Sequence, residues 1–125
     1  MTISELVEKA YANAKEKGFH DKEQSVGEIL MLIVSELSEA LEAHRSGKVL
    51  SNLEFTQING VIVEDIFSSN NSFEKYIKDT FEDELADVVI RVADLCGHMG
   101  IDLQRHIELK MEFNKSRERL HGKAY

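Results

Sequence analysis

The chain has 125 residues, a length that suits one domain with a core of its own and leaves little room for a second. Its net charge of −8 argues against binding a nucleic-acid backbone, which requires many Lys and Arg contacts, and its single cysteine, Cys96, excludes an intrachain disulfide. No Pro and only seven Gly, with 42% hydrophobic and 30% charged residues, favour long helices over a turn-rich β fold.

The first predicted helix starts after Thr2, which can cap it while Glu5 reaches back, and runs to about Gly18 with Leu6, Val7, Ala10, Tyr11 and Ala14 along one stripe. Ser25 and Glu28 form a second capping box. They open a longer helix carrying Ile29, Leu30, Ile33, Val34, Leu37 and Leu41, which ends at Arg45 and Gly47. Residues 48–72 lose the helical period, and Asn59-Gly60 predicts a tight turn in a small hairpin or ordered loop. From Phe73 the period returns through Ile77, Phe81, Leu85, Val88, Val89, Val92, Leu95 and Met99, predicting one helix that Gly100 terminates. Asp102 then caps a fourth helix with Leu103, Ile107 and Met111 on one side. The expected fold is all-α, a four-helix bundle over residues 1–125 with an insertion between the second and third helices.

The N-terminal stretch has charges at helical spacing and no apolar h-region, so no signal peptide is read there. No run approaches the length of a membrane span. A cytoplasmic protein without membrane association is the expectation.

Two pairs of acids stand out. Glu36 and Glu39 on the second helix, and Glu84 and Asp87 on the third, are each three residues apart and so lie on nearly one helix face, bordering the apolar stripe. Spacing leaves two readings open. In one, the acids belong to solvated faces, with Asp87 paired to Arg91 one turn on. In the other they converge between helices, where four carboxylates repel and resist desolvation unless cations neutralise them. Mg²⁺ or Mn²⁺ would suit an all-oxygen set and would join it to substrate phosphates.

Charge is unevenly distributed: residues 101–125 hold six Lys/Arg against four acids, a net of +2, which leaves −10 for the rest. Lys110, Asn114 and Arg117 recur at i, i+4 and i+7, placing an ammonium, an amide and a guanidinium on one stripe that would grip phosphate and sugar oxygens or would simply be a basic edge. Glycine-rich phosphate loops are missing, and the five histidines, most of them read as surface residues, show no HExxH. A di-iron or di-manganese carboxylate oxidase would need a second ExxH beside Glu118 and His121. A helical interaction module is the non-enzymatic rival, and it would be indifferent to Mg²⁺ and nucleotides.

SELSEALE, FEDELADVVIRV and KMEFNKSRERLHGKAY together resemble the MazG-like nucleotide pyrophosphohydrolases of the all-α NTP pyrophosphatase superfamily. The resemblance covers nearly the whole chain. It implies Mg²⁺ held by Glu36, Glu39, Glu84 and Asp87, with these same residues catalytic, and hydrolysis of (deoxy)nucleoside triphosphates to monophosphate and pyrophosphate in a house-cleaning role. It further implies Lys110, Asn114 and Arg117, with Lys123, as phosphate and sugar contacts, Phe19 and His20 as candidate base contacts, and a homodimer or homotetramer. The 44 residues between Glu39 and Glu84 exceed the short link of simpler members. Either Glu39 or Glu36 could take the proton from the attacking water.

Overall fold

A computed structural model describes residues 1–50 and 72–124, and the described residues are helical with no strand among them. Helix α1 spans Ile3–Glu16, α2 Val26–Arg45, α3 Ser72–Tyr76, α4 Phe81–Met99 and α5 Leu103–Lys115, followed by a 3-10 turn at Arg119–Gly122. None of these helices is long and apolar enough to cross a membrane. The hairpin or loop expected over residues 48–72 lies, except at its two ends, outside the described residues.

The N-terminal caps form as the side chains dictate. Thr2 accepts from Glu5 N at 3.1 Å and Glu5 returns a bond to Thr2 N at 2.9 Å, a complete capping box on α1. Ser25 accepts from Glu28 N at 3.1 Å on α2, and Asp102 from Arg105 N at 3.0 Å on α5.

One expectation is corrected between residues 73 and 81, where a single helix becomes two. Ile77 N and Lys78 N both donate to Phe73 O, Asp79 turns to a left-handed φ of 63°, and Thr80 opens α4 by accepting from Asp83 N at 3.3 Å. A local hydroxyl cap on a fresh helix start outcompetes continuation of the stripe. The last helix is also shorter than expected: α5 ends at Lys115, Ser116 Oγ donates to Phe113 O at 2.7 Å, and Arg117 falls beyond it.

The chain forms two compact units. One comprises residues 1–23 and 92–125, the other residues 24–91. In the first, α1 packs on α5, Ser4 N donates to Gln104 Oε1 at 3.1 Å, and Ala10, Ala14, Ala93, Leu95 and Cys96 are buried. Burial pushes the Cys96 thiol above its ordinary value, as expected for an inert core thiol. In the second, Phe81 N donates to Lys48 O at 2.8 Å, Leu50 N donates to Glu82 Oε2 at 3.1 Å, and the rings of His44 and Phe81 meet edge to face.

The buried face of α2 is Ile33, Glu36, Ala40 and Ala43, small residues plus one acid. Its richest apolar stripe, Leu30, Val34, Leu37 and Leu41, is exposed and lies roughly 110° around the axis at 3.6 residues per turn. Of the six apolar residues read along this helix, Ile33 is buried and Ile29 half-buried, while these four are surface in this chain.

Candidate functional site

Three of the four anticipated carboxylates converge within the unit of residues 24–91. Glu36, Glu39 and Glu84 each offer an oxygen lying within 4.8 Å of the others. Glu36 and Glu84 are buried, each 7% exposed, while Glu39 remains exposed. The helical register explains this pattern. Glu36 shares the buried face of α2 with Ile33 and Ala40, Glu84 occupies the first turn of α4, and Glu39 sits one turn on from Glu36 at the edge of that face. Asp87 is half-buried and stands beside this trio without joining it.

The charge does not go unanswered on every side. Arg91 Nε donates to Glu36 Oε1 in an ion pair. One of the two readings left open by spacing paired Arg91 with Asp87 on its own helix; here the guanidinium turns to the carboxylate of α2. Arg91 was not singled out as a site residue, and its signal was one cation one turn beyond an acidic pair.

The remaining carboxylates hold protons more tightly than usual. Burial, then the charges of Glu39, Asp87 and Glu36, push Glu84 up to about 7. Glu39 is raised by its hydrogen bond to Glu36 and by the Glu36 charge. Asp87 is raised by burial first and then by Asp83 and Glu36, against the pull of Arg91. A set of hard oxygens, two from buried residues, with Glu39 and Glu84 holding protons more tightly than usual, fits a small divalent cation that would replace the missing positive charge. Of the anticipated ligands, Glu36, Glu39 and Glu84 meet this fit directly.

Comparison with protein-family models, with characterised proteins and with solved structures yields no match to this chain.

Other acids of these helices have structural partners. Asp83 accepts from Asp79 N at 3.0 Å, Glu82 accepts from Leu50 N, and Asp94 meets His20. His20, one of two proposed base contacts, is not a surface residue: its Nε2 lies 2.7 Å from Asp94 Oδ1, its ring stacks on His98 at 4.6 Å, and Tyr11 meets it edge-on at 5.2 Å. Phe19 beside it is exposed.

On the other unit, the polar set of α5 gathers around one ring. Lys110 Nζ stands 5.1 Å and Arg117 Cζ 5.5 Å from the centre of Phe113, and Arg117 also donates to His121 O at 3.3 Å. Lys110, Asn114 and Lys123 are exposed, and Arg117 is half-buried. The chain beyond α5 reverses through Leu120 and His121 at φ 54° and 52°, so Lys123 is not in helical register with the others.

Proposed function

We propose that this protein is a Mg²⁺-dependent nucleoside triphosphate pyrophosphohydrolase with a helical bundle of the all-α NTP pyrophosphatase type. The observation that carries the reading is the convergence of Glu36, Glu39 and Glu84 on one point, with two of the three buried. The resemblance of the SELSEALE, FEDELADVVIRV and KMEFNKSRERLHGKAY segments to the MazG-like enzymes supports the substrate class.

Glu36, Glu39 and Glu84 would hold the ion, with Asp87 as the fourth ligand. Magnesium, or manganese in its place, supplies charge neutralisation at the phosphates and makes a bound water easier to deprotonate. A water attacks the α-phosphorus in line, the bond from that phosphorus to the bridging oxygen breaks, and the products are the monophosphate and pyrophosphate. The hold of Arg91 on Glu36 favours Glu39 as the group that accepts the water's proton, since Glu39 is exposed and binds a proton more readily than an ordinary carboxylate. Lys110, Asn114 and Arg117 have the chemistry to contact phosphate and sugar oxygens, with Lys123, Phe19 and His20 as further substrate contacts. The setting is cytoplasmic, the role nucleotide-pool house-cleaning, and the working form a homodimer or homotetramer.

The decisive experiment measures pyrophosphate release across canonical and damaged NTPs and dNTPs, with Mg²⁺ and with chelator. Glu39→Gln should abolish turnover with helical content intact. Full activity in excess chelator would overturn the reading.

A further inference from the structure

A cavity of about 280 Å³ opens beside the carboxylates, walled by Glu39, Glu42, Asp79, Glu84 and Lys48. It lies wholly within the unit of residues 24–91. Among the described residues Lys48 supplies the one cationic group on its wall, and the ammonium makes no ion pair or hydrogen bond with any of the four acids. The backbone of Lys48 is fixed by local main-chain bonds and not by these acids. Lys48 N donates to Ala43 O at 2.9 Å and Gly47 N to His44 O at 3.1 Å, with Gly47 at φ 72°, the paired bonds of a Schellman turn closing α2. Lys48 O then accepts from the first residue of α4, Phe81 N, at 2.8 Å. The residue is thus pinned between the end of one ligand-bearing helix and the start of the other.

A cavity walled by one lysine and four acids is matched by an anion that the acids can hold through a cation. The cavity is at or below the roughly 300 to 1,000 Å³ that encloses a drug-sized ligand, so it takes a piece of a nucleotide and not the whole. Because Glu39 and Glu84 belong to both the cavity and the converging trio, the piece nearest the ion is the polyphosphate. We propose that Lys48 is a substrate-contacting residue that binds the diphosphate end of the nucleotide, the part that leaves as pyrophosphate. This rests on the pyrophosphohydrolase reading and adds to it a residue outside the α5 set. By neutralising charge that builds on the departing diphosphate, the ammonium contributes both to binding and to turnover.

The test compares wild type with Lys48→Ala, Lys48→Arg and, as a control, Lys115→Ala, whose ammonium is already paired with Glu112 at 3.2 Å in the other unit. The readouts are product inhibition by pyrophosphate in Mg²⁺, product inhibition by the nucleoside monophosphate, and kcat/KM. Lys48→Ala should weaken inhibition by pyrophosphate at least tenfold, leave inhibition by the monophosphate within twofold, and lower kcat/KM at least tenfold. Lys48→Arg should recover most of each loss. Wild-type inhibition by pyrophosphate in Lys48→Ala, with Glu39→Gln inactive, would overturn the role of Lys48 and leave the hydrolase reading intact. No Mg²⁺-dependent pyrophosphate release by the wild type across the NTP and dNTP panel would overturn the hydrolase reading itself, and the role of Lys48 with it.

Discussion

Arg91 of α4 donates its Nε–H to Glu36 of α2, so the one carboxylate of the trio with a guanidinium partner is also buried on the inner face of its helix. Removing Arg91 leaves Glu36 without its counter-charge in a site that already holds two other acids. Arg91→Ala should therefore lower metal-free stability by roughly 1 to 3 kcal/mol, less than a fully buried pair would cost because Arg91 is partly exposed. Adding Glu36→Gln in the same chain should restore most of that loss, which thermal melts of the single and double variants would check. Equal loss in Arg91→Ala and the double variant would show that the guanidinium stabilises by packing alone.

The trio also sets a pH dependence. Glu84 stands at about 7 in the folded chain against an ordinary 4.5, so the fold favours its protonated form. A raised carboxylate works against stability as it ionises. The penalty is absent below about 4.5, grows as pH rises, and is complete above 7. Its upper bound is roughly 3 kcal/mol, reduced by solvent screening. The metal-free protein should melt higher at pH 5.5 than at pH 8. Saturating Mg²⁺ should reverse the trend, because the ion binds the ionised carboxylate and its affinity falls as pH drops through 7. A metal-free melting temperature that rises with pH over this range would contradict the assignment.

Gly97 of α4 tests the packing of the other unit. A Cβ there would lie 2.5 Å from Tyr11 Cβ and 2.9 Å from its Cγ, atoms tied closely to the backbone of α1. Gly97→Ala gains up to about 1 kcal/mol of helix propensity but forces the two helices apart, at roughly 1 to 3 kcal/mol. The net should be destabilising. Gly27→Ala, whose nearest atom is Ser25 Oγ at 3.8 Å, should be neutral or slightly stabilising. Chemical denaturation of both variants gives the signs directly.

What could be read from sequence divides along physical lines. The caps at Thr2, Ser25 and Asp102 were legible because each depends on atoms within three residues. Two i, i+3 pairs, each on one helix face, made the meeting of Glu36, Glu39 and Glu84 one of two readings, and spacing alone could not choose it over solvated faces. Arg91 escaped because a guanidinium can turn to its own helix or across to another, and spacing does not choose between them. The break at Asp79 escaped because the apolar stripe of residues 73–99 continues through it, while the hydroxyl of Thr80 decides locally. The α2 stripe was met only in part, with Ile33 buried and Leu30, Val34, Leu37 and Leu41 exposed, because apolarity marks a face that avoids water without saying which chain covers it.

That exposed stripe yields the prediction on assembly. Leu30, Val34, Leu37 and Leu41 on α2, with Leu85 and Val89 on α4, are all exposed in the single chain. A run of apolar side chains on one helix face marks an association surface. The wild type should sediment at micromolar concentration with at least twice the 14.2 kDa chain mass, and Val34→Lys with Leu41→Lys should shift it toward the monomer. A monomeric wild type would contradict the homo-oligomer.

The polar set of α5 separates a phosphate grip from a basic edge. Lys110 and Arg117 flank Phe113, so both cations are gathered at one ring although Arg117 lies beyond the last helical residue. If they grip the polyphosphate, each Ala variant removes a charge-assisted bond worth on the order of 1.5 to 3 kcal/mol. That corresponds to at least about a tenfold loss in kcat/KM, with melting temperature unchanged. Lys115, paired with Glu112, and Arg119, in the turn after the helix, are the internal controls. Their Ala variants should change kcat/KM by less than about twofold and in a salt-dependent way, as surface charges do. Equal, small effects at all four positions would make the segment a solvated edge, and the polyphosphate would then be held by the carboxylate-bound ion and Lys48.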